Sequence, residues 1–217
     1  MKKISYETTK YIDYICAAEM HLASYKELSK RIDIQSRYYL KNETDKRKIM
    51  HEMYYLSGYI IESSLCYAIG IEIDEKNEDA DLLQKNVKYF GNSNLQPHGK
   101  VKFKGLFAED QHATTEKIKF LREISGFNSS RINEIPILDN RTPYLFHHET
   151  NKNIHFQTLY ESWRPDYRYI KPPKNIRDLI FEQNLLNDYK YFLFKFVNKI
   201  KRHYNRTLKL RTICSYQ

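Results

Sequence analysis

The stretch that most constrains this chain is residues 57–70, an apolar run that contains one carboxylate, Glu62, and an internal glycine, Gly58. Around it, apolar and small residues recur every three or four positions, which predicts a helix enclosed by other helices. These residues are Met50, Tyr54, Ser57, Ile61, Leu65 and Ala68. Either Glu62 lies at the rim and reaches solvent or a surface cation, or it is buried, hydrogen-bonded and fixes how a second helix docks.

Spacing of the same kind predicts most of the remaining elements. Helices are expected at about 6–28, 78–90, 114–126 and 176–204, with a short one near 156–163. Residues 91–112 and 127–153 carry turn-forming residues without a sustained period and are expected to be irregular. The predicted fold is therefore all-α: an up-and-down antiparallel helical bundle, one domain over 1–217, with irregular insertions at one end.

The positive charge is concentrated at the C-terminal end. The chain has a formal net charge of +9, and the segment 189–217 contains eight Lys and Arg but no Asp or Glu. A basic helix and tail of this kind is typical of phosphate binding, so RNA or DNA is one expected partner. An acidic protein partner, or cations that only complement the helix dipole, are the alternatives. The candidate nucleic-acid contacts are Lys201, Arg202, Arg206, Lys209 and Arg211.

The cysteines and the first residues indicate the compartment. Cys16, Cys66 and Cys214 are odd in number and widely spaced, which argues against a disulfide framework or a cysteine zinc site. The first residues are interrupted by charge where a signal peptide would be apolar. We expect a cytoplasmic protein with no membrane association and no cofactor.

Three short motifs occur in a recognisable order. Gly58-Tyr59 is followed by Glu62, Leu65 and Gly70, then by Leu95-Gln-Pro-His98, and then by Trp163-Arg-Pro-Asp-Tyr-Arg168-Tyr169. This order resembles HEPN domains, small all-helical modules associated with nucleotides and RNA. The resemblance implies an up-and-down bundle, commonly a homodimer, with structural roles for Gly58, Glu62, Trp163, Arg168 and Tyr169.

The same resemblance suggests a catalytic pair. HEPN ribonucleases carry an Arg followed after four to six residues by a His, and this chain has Arg141, five residues and His147, with His148 next. A His with a pKa near neutrality transfers protons at the RNA 2′-hydroxyl or the leaving oxygen, and an Arg stabilises the charge at phosphorus. No metal is required. The alternative is an ordinary surface loop.

We therefore expect a HEPN-like protein that acts on RNA, as a metal-independent endoribonuclease toxin or effector of a toxin–antitoxin or phage-defence system. Its partners would be RNA, a second copy of the chain and an antitoxin. One alternative is a non-catalytic HEPN-like partner that presents a nucleotide or substrate surface to a separate nucleotidyltransferase. Another is a helical scaffold with an acidic protein partner.

Overall fold

The computed structural model describes residues 11–38, 43–73, 86–90, 97–102, 114, 117, 118, 121 and 150–214. In these ranges lie α1 (Tyr11–Tyr38), α2 (Glu43–Ile73), β1 (Asn86–Phe90), β2 (Pro97–Lys102), α3 (Thr150–Glu161), α4 (Lys174–Ile180) and α5 (Gln183–Cys214). A 3-10 helix, Pro165–Arg168, separates α3 from α4. Thr114, Lys117, Ile118 and Leu121 are also helical.

The first helix, α1, packs through a single seam. Its buried residues step alternately by three and four positions, so they lie along one side of the helix. They are Ile15, Ala18, Leu22, Tyr25, Ser29 and Ile32. Because the seam is narrow, the opposite side of α1 remains in solvent, and the helix forms an outer wall of the bundle.

The second helix, α2, is enclosed on all sides. From Met53 to Ile71 every residue is buried except Tyr59 and Glu62, which keep a small exposed fraction. A helix that is apolar around its whole circumference needs neighbours on each face, and α2 packs against α1, α3, α4, α5 and the 3-10 helix. No helix in the described ranges has both the length and the apolarity needed to cross a membrane.

Side-chain contacts between the long helices define their directions. Ser29 of α1 bonds to Asn187 of α5, whereas Glu19, nearer the start of α1, pairs with Lys201, further along α5. These two helices are therefore antiparallel. The α1–α2 pair is antiparallel as well, and α2 and α5 consequently run in the same direction. This alternation is the one predicted for an up-and-down bundle.

Tyrosines fill much of the core, and their hydroxyl groups bond to the backbone. The Tyr25 hydroxyl donates to the Leu186 carbonyl at 2.9 Å, and the Tyr54 hydroxyl donates to the Leu159 carbonyl at 3.1 Å. Burial raises the pKa of both phenols, because the charged form would be desolvated. These bonds tie α1 to α5 and α2 to α3 inside the core.

A β-hairpin corrects two of the expectations. Strands β1 and β2 pair antiparallel, with Val87 opposite Val101 and an irregularity in register between Tyr89 and Phe90. The predicted helix at 78–90 is thus wrong for 86–90, and the predicted loop at 91–112 is wrong for 97–102. Val87 and Phe90 have helix-like spacing, but their β-branched and aromatic types, followed by a Gly-Asn-Ser-Asn turn sequence, also suit a hairpin.

The C-terminal helix differs from its predicted bounds in two ways. The predicted helix at 176–204 is two helices, since α4 ends at Ile180 and α5 begins at Gln183. The Glu182 carbonyl accepts from the Leu186 amide and so starts the new helix. In addition, α5 continues to Cys214.

Helix α3 also differs from its expected bounds. It begins at Thr150, inside the segment 127–153 that was expected to be irregular.

Candidate nucleic-acid interface

The contact between Gly58 and Trp163 joins two of the motifs. A Cβ atom added at Gly58 would overlap the indole ring of Trp163, so only glycine permits this approach. The indole Nε1 also donates a hydrogen bond of 3.0 Å to the Tyr55 carbonyl on the same helix. A mid-helix glycine is less favourable than alanine, and here it is compensated by a large buried ring.

An aromatic cluster continues from this contact to the surface. The ring of Tyr59 meets Trp163 edge-on at 5.0 Å between centroids, and Tyr55 meets Tyr59 in the same manner at 5.0 Å. The Arg168 guanidinium then lies 5.6 Å from the centroid of Tyr55 and 5.9 Å from that of Tyr169. Both distances are within the range of cation–π attraction.

Glu62 is paired with a buried lysine. The Lys117 Nζ atom lies 2.8 Å from Glu62 Oε1, and the side chains of the two residues are 1% and 12% exposed. Glu62 is therefore hydrogen-bonded to a cation from another helical segment, which fixes that segment against α2. Loss of either partner would leave a charge in a poorly solvated site.

The cysteine one turn further along α2, Cys66, is expected to be unreactive. Cys66 is fully buried and free. Burial raises the pKa of its thiol well above the usual range, although Lys117 acts in the opposite direction. A protonated, inaccessible thiol is a poor nucleophile, so Cys66 contributes packing rather than chemistry.

The exposed side of α5 combines cations with aromatic rings. We call Tyr191, Phe194, Lys195, Lys201 and Arg202 the α5 face, because their spacing of three, four and seven places them along one side of the helix. Tyr191 is 60% and Phe194 43% exposed. The inward side of α5 is anchored by buried residues from Leu185 to Tyr204. The core therefore fixes which residues α5 exposes.

Lysines lie over both exposed rings of this face. Lys26 of α1 places its Nζ 4.4 Å from the centroid of Phe194, and Lys190 lies 5.6 Å from that of Tyr191. Positive charge therefore surrounds the aromatic part of the α5 face as well as its lysine-rich part. This combination of stacking surface and cations is typical of single-strand binding sites.

An acidic residue of α1 contacts the α5 face. Glu19 of α1 forms an ion pair with Lys201, whose side chain is 32% exposed. Because the pair is open to solvent, its strength is modest. A phosphate can therefore compete with Glu19 for this lysine.

Several predicted site residues are not among those described. Arg141, His147 and His148 lie outside the described residues. Arg206, Lys209 and Arg211 lie on the last turns of α5, beyond Asn205, where the described side chains end. Among the described residues, no three or more His, Cys, Asp or Glu come together in a group that could hold a metal ion.

Some residues of these clusters were not singled out in the sequence. Lys117 lies within the predicted helix at 114–126, but no local signal pairs it with a glutamate 55 positions away. Nothing in the sequence distinguishes Tyr55 from the other tyrosines of α2. Tyr191 and Phe194 could have been found by projecting 183–205 on a helical wheel, because both fall opposite the buried stripe.

The chain matches no protein-family model, no curated protein and no solved structure.

Proposed function

We propose that this protein is a HEPN-like protein that binds single-stranded RNA along the α5 face and cleaves it as a homodimer without a metal ion. The observation that carries the proposal is the α5 face itself. It presents exposed rings and cations on one rigid helix, in a segment that contains no Asp or Glu from Tyr189 onward.

The chemistry of the α5 face favours single-stranded RNA over a duplex. Exposed rings such as Tyr191 and Phe194 stack on unpaired bases, which a duplex keeps in its interior. Cations such as Lys195 and Arg202 follow the phosphates and release counterions. An acidic protein would satisfy the cations but would leave the rings without partners of matching shape.

The cleavage step is assigned to Arg141 and His147, with His148 as the alternative base. Arg141 would hold the scissile phosphate and stabilise charge at phosphorus, and the histidine would take the 2′-hydroxyl proton or supply one to the leaving oxygen. The resemblance to HEPN ribonucleases supports this assignment. The contact of Gly58 with Trp163 supports the resemblance, because it brings two of its motifs together.

A homodimer and a defence role complete the proposal. In HEPN ribonucleases the two catalytic pairs face each other across a dimer cleft, so dimerisation and activity would be linked. Light scattering should then report about twice the 26.2 kDa chain mass. Such an enzyme fits a toxin–antitoxin or phage-defence system, with an antitoxin as its regulator.

The experiment that tests RNA binding is a charge reversal with a matched control. We expect Lys195→Glu combined with Arg202→Glu to weaken binding of a short single-stranded RNA at low salt. Its salt slope should fall by about 1.4, at about 0.7 for each lost phosphate contact. The control, Lys30→Glu with Lys48→Glu, changes net charge equally at exposed lysines of α1 and α2. It should retain the wild-type slope.

The competing assignments predict other results. Wild-type protein that binds no RNA at low salt contradicts the proposal and favours an acidic protein partner for the tail. Equal slopes for the α5 variant and its control would show that total charge, not the α5 face, governs binding. RNA binding without cleavage would favour a non-catalytic partner of a nucleotidyltransferase.

A further inference from the structure

A second aromatic–cation group lies at the 3-10 helix and α2, and two of its three members are exposed. We call Tyr55, Arg168 and Tyr169 the Tyr169 cluster. Tyr169 is 81% exposed, and the Arg168 guanidinium lies between its ring and that of Tyr55. Nothing in the RNA-binding proposal for α5 uses these residues. The fold also gains little from a ring that remains almost wholly in water.

The backbone beneath this cluster is firmly held. The amides of Tyr169 and Ile170 both donate to the Asp166 carbonyl, at 2.8 and 3.0 Å. Tyr167, which follows Asp166 in sequence, is buried and stacks on Tyr54 with 6.3 Å between centroids. Tyr169 is thus an exposed ring on a short, well-anchored segment, and it is presented to solvent at little further entropic cost.

We propose that the Tyr169 cluster binds one nucleotide unit of single-stranded RNA, with the base stacked on Tyr169 and the phosphate held by Arg168. This inference rests on the proposed function and adds a base-binding position to it. An exposed phenol ring stacks on bases of any sequence. A guanidinium donates two parallel hydrogen bonds to phosphate. The two groups are adjacent in the chain, as a base and its own phosphate are in RNA.

One acidic neighbour makes the inference sharper. Tyr55 and Tyr169 act most strongly on Arg168, and Glu52 of α2 adds a smaller electrostatic attraction. A phosphate at Arg168 would feel this negative charge, so Glu52 should weaken RNA binding. If Arg168 were only structural, replacing Glu52 should not tighten RNA binding. Removing Arg168 should then disturb the Tyr55 contact and the local packing.

The test uses the full chain and fluorescence anisotropy with a labelled oligoadenylate, intact or containing abasic residues. Tyr169→Ala should weaken binding of the intact RNA about tenfold, because base–aromatic stacking is lost. Its salt slope should stay the same, since no charge is removed. Tyr169→Phe should bind as wild type. Ile154→Ala is the matched control, an exposed apolar truncation on α3, and should also bind as wild type.

Further variants separate stacking from phosphate binding. On abasic RNA, Tyr169→Ala and wild type should bind equally, because there is no base to stack. Glu52→Gln should bind intact RNA more tightly than wild type, and Arg168→Gln should lower the salt slope by about 0.7. A Tyr169→Ala protein that binds intact RNA as wild type does, or one that loses as much affinity for abasic RNA, overturns the inference.

The failures of the two proposals are distinguishable. If the α5 charge reversals weaken binding and Tyr169→Ala does not, the Tyr169 cluster is not a base site and the proposed function stands. If Tyr169→Ala weakens binding while the α5 reversals match their control, the α5 face is wrongly assigned. A wild-type protein without RNA affinity overturns both.

Discussion

Two lysine–glutamate pairs show how differently the same chemistry is used in two regions of this molecule. Lys117 and Glu62 are paired in the interior, with side chains 1% and 12% exposed, whereas Lys201 and Glu19 are paired at the surface, with 32% and 45% exposed. The interior pair has left most of its hydration, so each charge depends on the other. The surface pair keeps much of its water and can be exchanged for another anion.

The aromatic residues repeat the contrast within a short distance in sequence. Trp163 is 2% exposed and closes against Gly58, while Tyr169 is 81% exposed on the same anchored segment. Residue type therefore does not decide which side chains serve the architecture and which are available to a ligand. Position relative to the enclosed helix α2 decides it.

The largest effect that would sharpen this contrast is expected at the interior pair. Lys117→Met or Glu62→Leu alone should lower the free energy of unfolding by about 3–5 kcal/mol, because a buried charge loses its partner. The double variant should be more stable than the two single losses would predict if added. Urea unfolding followed by circular dichroism measures this.

The surface pair supplies the control for that measurement. Lys201→Met and Glu19→Gln should each change the free energy of unfolding by no more than about 1 kcal/mol. The contrast between the two regions is broken if the interior single variants unfold as late in urea as these surface variants do.

The next effect concerns activity rather than stability. Arg141→Ala and His147→Ala should each slow RNA cleavage by about a hundredfold or more, because the phosphate clamp or the proton-transfer group is lost. Their melting temperatures should stay near that of wild type, because the sequence predicts that both lie in an irregular segment without a sustained apolar period. Cleavage should survive EDTA and leave a cyclic phosphate end.

His148→Ala decides which histidine acts, since only one of the two substitutions should slow the reaction to this extent. Wild-type protein that leaves RNA intact, or variants that cut as fast as wild type, contradict the assignment of both residues.

A smaller effect is expected at the glycine contact. Gly58→Ala should lower the free energy of unfolding by about 1–3 kcal/mol, because the new methyl group overlaps Trp163 and must displace it. In a Trp163→Ala background the same change should instead stabilise the helix by up to about 1 kcal/mol, the propensity difference between the two residues. Thermal unfolding of the four proteins forms the cycle. Equal effects in both backgrounds would contradict the contact.

The smallest effect is expected in mildly acidic solution. The ring of His21 lies against Tyr59, 5.6 Å between centroids, and burial lowers the pKa of His21 below its ordinary value of 6.5. The unfolded chain therefore binds this proton more readily. Stability should be complete above about pH 6.5 and decline as the pH falls towards the folded pKa. His21→Gln should reduce the decline of the urea midpoint with falling pH. Burial lowers the pKa of His51 as well, so part of the pH dependence should remain in this variant.

Sequence periodicity predicts the helices of the bundle well, because each packs through faces whose apolar residues recur at helical spacing. The α1 seam and the enclosed α2 were both visible in the spacing of apolar residues, since burial in a bundle follows helical geometry. The hairpin was missed because Val87 and Phe90 are also three positions apart, as on a helix face. The break before Gln183 was missed because an apolar stripe continues across it.

The clusters were harder to predict than the bundle. Glu62 was recognisable as an anomaly, but its partner comes from a distant segment, and only the packing of two helices brings them together. Likewise Gly58 and Trp163 each appeared in a motif, yet their contact depends on the path of α3 and the 3-10 helix. The basic composition of α5 was evident in the sequence. Which aromatic rings are exposed beside its lysines depends on how the helix is oriented against the core.

The Gly58–Trp163 contact has a spectroscopic consequence. Trp163 is the only tryptophan in a chain with 19 tyrosines, and Tyr59 meets its ring edge-on while Tyr55 meets Tyr59 in the same way. Its emission therefore reports one place, the junction between α2 and the segment that carries Tyr169. A red shift on adding a ligand would mean that this junction opens, and a constant emission maximum would mean that it stays closed. Trp163 is thus an intrinsic fluorescent probe of the region where the motifs containing Gly58 and Trp163 meet.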